Sequence, residues 1–195
     1  MIALVTGATA GFGTAITRLL IARGHKVIAT GRRAERLQAL HAELGDACLP
    51  LAFDISDEVA TLAALANLPP EWQAIDLLVN NAGLALGAAP FPACDLADWK
   101  QMIATNVGGL VTVTYAVLKG MVARNRGHII NLGSTAGSYQ YAGGNIYGAT
   151  KAFVKQFSLN LRTDLLGTNV RVSNVDEPAV LAALARERRA AGDPD

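Results

Sequence analysis

A glycine-rich turn near the first residue lies between a short aliphatic run and a helical segment. The run Ile2–Val5 leads into Thr6-Gly7-Ala8-Thr9-Ala10-Gly11-Phe12-Gly13. The first glycine permits a tight turn, the second lets backbone N–H groups approach a pyrophosphate, and the third lets the helix pack closely on the strand. The N-terminus of the helix then offers free N–H groups and a positive dipole end to phosphates. This context predicts a nucleotide site with contacts from Gly7, Thr9, Gly11, Phe12 and Gly13.

Short β-branched or aliphatic runs alternate with segments of helical spacing along the chain. The runs are Ile2–Val5, Val27–Ala29, Leu49–Phe53, Leu77–Val79, His128–Leu132 and Val170–Val175. Each is bounded by Gly, Asn, Asp or Pro, which is typical of strands buried on both faces. The alternation predicts an α/β fold, a single-domain Rossmann-like doubly wound parallel sheet flanked by helices on both faces. The two longest predicted helices are Asp95–Arg124 and Asn145–Leu166, and a shorter helix carrying Val59, Leu62 and Leu65 is expected to begin behind Ser56 as its cap.

Composition excludes several classes of protein. The chain has 195 residues, of which 51% are hydrophobic, and a formal net charge of +1. A chain of this size can bury a core without a metal or disulfide, and its charge argues against a nucleic-acid or anionic-membrane partner. Cys48 and Cys94 fit no metal-site spacing, so we expect no metal and two buried thiols. The apolar segment Val107–Leu118 is too short to cross a bilayer, and a cytoplasmic location is expected.

The second predicted strand indicates which dinucleotide binds. Proteins that bind NAD usually place an acidic residue there, where it holds the ribose 2′-hydroxyl. Here the strand ends in Gly31-Arg32-Arg33. Two guanidinium groups suit a 2′-phosphate, which arginine can bind through two hydrogen bonds. A solvated basic helix start is the alternative, but cations at a helix N-terminus oppose the helix dipole. The residues therefore predict NADP(H), with Arg32 and Arg33 as ligands.

Three polar residues are predicted to meet at the carboxyl edge of the sheet. Tyr147 and Lys151 are four residues apart on a predicted helix and share one of its faces. A nearby ammonium favours the phenolate and brings a phenol into range for proton transfer. Ser134 follows the strand His128–Leu132, and Asn80-Asn81-Ala82-Gly83 follows the strand before it.

At these positions the sequence resembles the short-chain dehydrogenase/reductase family. The resemblance covers Met1 to about Val175 and rests on the joint order of the motifs. They are Thr6-Gly7-x3-Gly11-x-Gly13, Asp54, Asn80-Asn81-Ala82-Gly83, Asn106, Ser134 and Tyr147-x3-Lys151. Within the family it looks closest to bacterial NADP-dependent 3-hydroxy acid dehydrogenases, because of Gly31-Arg32-Arg33, Gly133–Ser138 and Tyr141–Asn145.

The resemblance implies a role for each motif residue. Tyr147 would be the general acid in reduction and the general base in oxidation, and Ser134 would polarise the substrate oxygen. Lys151 would lower the pKa of Tyr147 and bind the nicotinamide ribose, and Asn106 would hold a water of a proton relay. Further cofactor contacts are expected from Asp54 and Ile55 near the adenine, from Asn80, Ala82 and Gly83 near the adenosine ribose, and from Pro178.

Taken singly, these residues have simpler explanations, and the substrate pocket is thinly encoded. Ser134 alone could be a turn serine, Asn106 a residue that kinks its helix, and Asp54 a helix-cap partner. The side chains of Leu84, Leu86, Tyr139, Gln140 and Tyr141 either border the pocket or only pack the loops. The histidines His25, His41 and His128 are expected at the surface or at strand edges, with no catalytic role.

The sequence departs from the family pattern after Val175. The family continues with a Pro-Gly turn, a threonine, a mobile helical lid and a last strand, whereas this chain reads Asp176-Glu177-Pro178-Ala179. We expect residues 1–175 to form the NADP-binding catalytic domain and residues 176–195 an atypical Ala/Arg-rich tail. Without the lid and last strand, the sixth strand would be an open edge of the sheet.

The sequence leaves three functions open. The first is an NADP-dependent oxidoreductase for a small 3-hydroxy acid or its aldehyde or ketone. The second is a truncated, inactive relative that binds a nucleotide or dimerises, and the third is a 3-oxoacyl-carrier reductase. The two long helices predict a homodimer, whereas the family's tetramer contacts fall in the altered segment.

Overall fold

The computed structural model describes residues 1–87 and 89–176 and contains six strands in that part of the chain. The strands are β1 Ile2–Val5, β2 Lys26–Gly31, β3 Cys48–Ala52, β4 Ile75–Asn80, β5 Gly127–Leu132 and β6 Val170–Val175. The helices are α1 Gly11–Ala22, α2 Ala34–Leu44, α3 Glu58–Ala66, α4 Leu96–Ile103, α5 Leu110–Ala123 and α6 Asn145–Asp164. A π-helical segment, Ala104–Gly109, joins α4 to α5. Each predicted strand is present; β1 and β6 have the predicted bounds, and the ends of the other four differ by at most two residues.

All six strands run parallel in the order β3-β2-β1-β4-β5-β6. The chain moves outward from β1 to β3 and then returns to place β4 on the other side of β1. The carboxyl ends of β1 and β4 therefore diverge into loops that leave in opposite directions and open a crevice between them. The predicted doubly wound, Rossmann-like sheet is confirmed, and the crevice is where such folds bind their ligands.

Two apolar cores lie on opposite faces of the sheet. On one face, α1 and α2 pack through Ile16, Leu20, Leu37 and Leu40. The other face is covered by α3, α5 and α6, and its buried apolar side chains include Leu4, Ile28, Trp72, Leu78, Val113, Met121, Ile129 and Leu161. Because strands of a parallel sheet with helices on both sides are apolar on both faces, the polar residues collect at the carboxyl edge.

The start of α3 differs from the prediction. The helix is capped by Asp57 and not by Ser56. The carboxylate of Asp57 accepts a hydrogen bond from Ala60 N at 2.9 Å. Ser56 donates its backbone N–H and hydroxyl to Asp54 Oδ1, at 2.9 and 2.7 Å. Val59 is 78% exposed, whereas Leu65 packs on the core. An acidic side chain one residue later is an equally good cap, and local spacing alone does not choose between them.

The predicted helix Asp95–Arg124 is one continuous helical run, Leu96–Ala123, widened at its centre by the π-helical segment. By length and composition this run would suffice to cross a membrane, so the expectation based on the shorter segment Val107–Leu118 does not hold for the whole helix. A core helix passes the same test, and α5 here buries Val113, Val117 and Met121 against the sheet.

Two further expectations concern the cysteines and the end of the chain. Cys48 is buried as expected, whereas Cys94 is only half-buried and donates its thiol to Ala89 O at 3.2 Å. In the described part of the chain, β6 forms one end of the sheet. The expectations for Pro178 and for the tail beyond Asp176 lie outside the described residues.

Candidate functional site

The glycine turn leaves the end of β1 and enters α1 with little free space around it. Gly7 and Gly11 have φ angles of +66° and +51°, which side chains with a Cβ rarely adopt. A Cβ at Gly13 would overlap the carbonyl oxygen of Gly7, so a glycine is needed for the helix to start so close to the strand. No side chain caps α1 at Ala10, so the first N–H groups of the helix remain available to an anion.

Asn81 connects this turn to the end of β4 through hydrogen bonds. It belongs to a predicted motif, but the sequence assigned it no role. Its side-chain amide donates to Thr6 O at 2.8 Å and to Gly7 O at 3.2 Å. In return, the Thr6 hydroxyl accepts hydrogen bonds from Asn81 N at 3.0 Å and Ala82 N at 2.9 Å. These four bonds join the carboxyl ends of β1 and β4 across the crevice. The position of Asn81 directly after a predicted central strand was the only available signal.

The two arginines after β2 lie beside the glycine turn. Arg33 Nη2 donates to Thr9 Oγ1 at 2.9 Å, and Arg32 Nη1 lies 3.8 Å from Asp54 Oδ2. The side chain of Arg32 is 61% exposed, so this ion pair contributes little to stability. A second anion can therefore approach both guanidinium groups with little cost in broken contacts.

A cavity of about 670 Å³ runs along the carboxyl edge from the arginines to the end of β4. Ten of the predicted cofactor residues line it, namely Gly7, Thr9, Gly11, Phe12, Arg32, Arg33, Asp54, Ile55, Ala82 and Gly83. Sequence reasoning missed further lining residues, among them Thr30, Phe53 and Thr105. The glycine turn in the wall of the cavity and the two arginines beside it suit the charges of a dinucleotide with a 2′-phosphate.

Asn80 differs from the other predicted cofactor residues. Its side chain is 3% exposed and points into the core, where Nδ2 donates to Thr114 Oγ1 and Asn131 Oδ1, each at 2.9 Å. The predicted contact between Asn80 and the adenosine ribose therefore cannot come from this amide in the described structure. Asn80 ends a strand whose residues alternate between faces, and its side chain falls on the α5 face.

Ser134, Tyr147 and Lys151 are all buried, at 1%, 5% and 7% exposure. Ser134 follows β5 and accepts a hydrogen bond from Ala136 N at 3.2 Å, which fixes the short turn after the strand. Lys151 Nζ donates to Leu132 O at 2.8 Å and lies 5.8 Å from the centre of the Tyr147 ring. The structure thus brings the three predicted catalytic residues to one place between β5 and α6.

Asn106 lies in the π-helical segment and connects this place to the loop after β4. Its amide accepts from Leu84 N and donates to Leu84 O, both at 2.9 Å, and also donates to Thr150 Oγ1 at 3.1 Å. A π-helical turn inserts one extra residue into a helix and often marks a functional site. Here the widening turns a 2% exposed asparagine toward the residue next to Lys151.

Gly83 marks where the cavity meets the buried polar residues. A Cβ placed on it would lie 3.6 Å from Lys151 Nζ and 3.4 Å from Asn106 Oδ1. The end of the cavity away from the arginines therefore adjoins Lys151. This arrangement can hold one end of a dinucleotide at the arginines while its other end reaches the buried phenol.

Burial sets the protonation of both Tyr147 and Lys151. Burial raises the pKa of Tyr147 above its usual value, with a smaller opposing contribution from the Ser134 hydroxyl and a further increase from Tyr141. Burial lowers the pKa of Lys151 to about 8, although Asp176 acts in the opposite direction. The lowering of the Tyr147 pKa that the resemblance implies is thus not seen here, because burial, which disfavours the charged phenolate, is the largest cause of the shift.

Apolar side chains pack around the Tyr147 ring. Tyr147, Met102 and Ala136 form a buried cluster, against which the expected pocket residues Leu84 and Leu86 pack. Tyr139 is 72% exposed and Tyr141 43% exposed, so their rings are open to solvent. Gln140 is also exposed. Within residues 1–87 and 89–176, no group of three or more His, Cys, Asp or Glu side chains could hold a metal ion.

Comparison with known proteins places this geometry in context. The sequence profile of the short chain dehydrogenase family matches residues 1–193. A Haemophilus influenzae protein named "Probable NADP-dependent dehydrogenase" is 67% identical to this chain over 174 residues. The matched region covers 89% of this chain and 69% of the relative. The NADP-dependent 3-hydroxy acid dehydrogenase of Escherichia coli is 64% identical over 176 residues, covering 90% and 71%.

A solved structure gives the same result in three dimensions. The closed form of a serine dehydrogenase complexed with NADP⁺ matches with a TM-score of 0.89 and 64% identity. The match covers 90% of this chain and 71% of that one. Both the sequence and the fold of this chain are therefore similar to those of NADP-dependent enzymes.

The lowered pKa of Lys151 predicts a pH dependence of stability. An unfolded lysine titrates near 10.5 and the buried Lys151 at about 8, so between these values the unfolded state binds more protons than the folded state. The free energy of unfolding should therefore rise with pH across this window, by up to roughly 3 kcal/mol from this group. Lys151→Met should lose that rise, measured as denaturant unfolding between pH 7.5 and about 10.5.

Lys155→Met provides the matched control, because Lys155 lies one turn later on α6 and is exposed. The difference between parent and Lys155→Met should stay constant with pH. A Lys151→Met curve parallel to that of the parent would show that Lys151 is not held in a proton-releasing environment.

Proposed function

The chain belongs to the short chain dehydrogenase family, and we propose that it transfers hydride between NADP(H) and a small 3-hydroxy acid or the corresponding aldehyde or ketone. It is an NADP-dependent oxidoreductase of the type of its 64–67% identical relatives. The observation that carries the proposal is the burial of Ser134, Tyr147 and Lys151 together between β5 and α6, with Lys151 next to Gly83 in the cavity wall.

Each catalytic side chain has a role that its position supports. NADPH, when bound, supplies the hydride, and the protein supplies position, protons and electrostatics. The Ser134 hydroxyl donates a hydrogen bond to the substrate oxygen and polarises the carbonyl. The Tyr147 phenol gives its proton to that oxygen as the carbon is reduced, and takes a proton back in the oxidation. Lys151 holds the nicotinamide ribose and favours the phenolate electrostatically as the proton leaves.

The raised pKa of Tyr147 keeps the phenol in its protonated form at neutral pH. A phenol whose pKa lies above its usual value is protonated near pH 7, as a general acid must be when a carbonyl is reduced. The reverse oxidation needs the phenolate, which is then a minor species. Asn106 is placed to support the proton relay. Its side-chain amide lies between Leu84 and Thr150, the residue before Lys151, so it can help to connect Lys151 to solvent.

Different parts of the cavity are expected to bind different parts of the cofactor. Arg32 and Arg33 would bind the 2′-phosphate, the glycine turn and the N-terminus of α1 would bind the pyrophosphate, and Asp54 and Ile55, which also line the cavity, would contact the adenine. Ala82 and Gly83 allow the backbone after β4 to approach the dinucleotide, since neither brings a large side chain into the cavity.

Tyr147→Phe should abolish turnover and leave cofactor binding intact. Loss of the proton donor should lower kcat for NADPH oxidation with malonic semialdehyde by at least about 100-fold. The Kd for NADPH, measured by nucleotide fluorescence, should stay within about twofold, because the phenol ring remains. Tyr115→Phe, on the exposed face of α5, is the matched control and should retain parental kcat.

The parent chain is assayed in the same experiment with serine and 3-hydroxypropionate in the oxidative direction. A folded parent that binds NADPH but turns over none of these substrates would contradict the proposed activity and favour a nucleotide-binding or dimerising role. Turnover of acetoacetyl thioesters alone would instead assign 3-oxoacyl reduction.

Arg33→Ala should weaken binding of NADPH selectively. Loss of a charge-assisted hydrogen bond to the 2′-phosphate costs about 1.5–3 kcal/mol, so the Kd for NADPH should rise about 10- to 150-fold. The Kd for NADH, which lacks that phosphate, should be unchanged. Arg36→Ala is the matched control, because Arg36 is exposed on α2 and does not line the cavity. An equal rise in the Kd for NADPH and the Kd for NADH would show that Arg33 only supports the glycine turn and does not bind the 2′-phosphate.

We further propose that the chain forms a homodimer through the long helices and acts in the cytoplasm. Val111, Tyr115 and Val122 on α5 and Phe153 on α6 expose apolar side chains on those helices. Burying them against a second copy would remove this area from water. Light scattering should give a dimer for the parent and a monomer for Phe153→Asp; a monomeric parent would contradict the proposal.

A further inference from the structure

Four buried polar side chains form a hydrogen-bonded chain beneath the catalytic residues. Asn80 on β4 donates to Asn131 on β5 at 2.9 Å, and Asn131 Nδ2 donates to Ser158 Oγ on α6 at 2.8 Å. Asn80 also donates to Thr114 on α5 at 2.9 Å. The four side chains are between 0% and 3% exposed, so water does not compete for these bonds.

The direction of the donors in this chain is fixed by its last member. Ser158 Oγ donates its single proton to Val154 O at 2.7 Å, and a carbonyl can only accept. The serine oxygen must therefore accept from Asn131 Nδ2, which leaves Asn131 Oδ1 as an acceptor for Asn80. The Asn131 amide therefore has one orientation in which both of its ends are bonded, and this orientation makes the contact between β5 and α6 directional. On the neighbouring Asn80, Nδ2 is bonded whereas the buried Oδ1 has no partner among the described residues.

The elements joined in this way are those that carry the catalytic groups. Asn131 lies on β5 three residues before Ser134, and Ser158 lies on α6 about two turns after Lys151. Asn131 pairs in register with Asn80, whose strand leads to the loop that Asn106 holds. Besides this pair, β5 and α6 are joined by the hydrogen bond from Lys151 Nζ to Leu132 O at the end of the strand and by apolar contacts. Apolar contacts are non-directional and allow a helix to slide along a strand.

We propose that Asn131 and Ser158 are positioning residues that set the Ser134 hydroxyl against Tyr147 and Lys151. The inference rests on the proposed function and deepens it. The bond between Asn131 and Ser158 fixes the position of α6 along β5, and a misplacement of about 1 Å in such a site can cost about 100-fold in rate. Neither residue contacts the cavity, so neither should affect the affinity for NADPH directly.

A double variant separates positioning from stability. Ser158→Ala alone leaves a buried amide proton without a partner and should lower both kcat and Tm. Asn131→Val with Ser158→Ala replaces the polar pair with apolar groups, while Asn80 keeps its bond to Thr114 and loses the one to Asn131. The double variant should recover part of the Tm lost in Ser158→Ala, yet keep kcat reduced by about tenfold or more with the KM for NADPH unchanged. Thr163→Ala, exposed on the same helix, is the control and should match the parent.

A second readout does not depend on turnover. With ¹³C-labelled tyrosine, NMR follows the titration of Tyr147, identified by its absence in Tyr147→Phe. The groups around the phenol, Ser134, Tyr141 and Lys151, and Asp176 beside Lys151, are unchanged in the double variant. If α6 shifts away from β5, the pKa-lowering contact with Ser134 weakens and the phenol should titrate at higher pH.

Four outcomes decide the proposal. A lower kcat with recovered Tm and a raised Tyr147 titration supports it. Parental kcat and titration in a stable double variant overturn it, because the pair is then only structural. If the parent lacks turnover, the proposed function fails, and the Tyr147 titration in the double variant still decides the positioning role. If the double variant does not fold, the same titration in Ser158→Ala below its Tm decides.

Discussion

The structure depends on the contact between the ends of β1 and β4, where Thr6 and Asn81 exchange hydrogen bonds across the crevice. The order of strands reverses at this pair, so it is where the parallel sheet must open. Gly7 and Gly13 keep the turn against Asn81, since a Cβ on either would press on its amide. A dinucleotide cavity, a free helix N-terminus and a loop leading to Asn106 all follow from this contact.

The buried polar groups explain how one edge of the sheet can hold both a cofactor and a proton donor. Tyr147 and Lys151 are withdrawn from water beside the cavity, and the loss of hydration raises the pKa of the phenol and lowers that of the ammonium. Each group is thereby moved toward its neutral form. In the proposed reaction, a bound substrate oxygen would meet a protonated phenol rather than water, which favours proton transfer within the site.

The sequence predicts the sheet, the glycine turn and the joint position of Ser134, Tyr147 and Lys151 because these follow from period and motif spacing. It does not predict the direction of Asn80, because the face to which a strand residue points depends on the register with α5 and β5. Nor does it predict the role of Asn81, which depends on hydrogen bonds to residues far away in the sequence. The cap at Asp57 is also missed, because it lies only one residue after the expected cap. Spacing identifies which residues meet, and packing decides what they touch.

A crystal structure of this chain grown with NADP⁺ would test the account most directly. The account predicts a dinucleotide in the crevice between β1 and β4, with its 2′-phosphate on Arg32 and Arg33 and its nicotinamide end beside Lys151. A dinucleotide bound elsewhere, or with its 2′-phosphate away from both arginines, would contradict the assignment of this crevice as the site of hydride transfer.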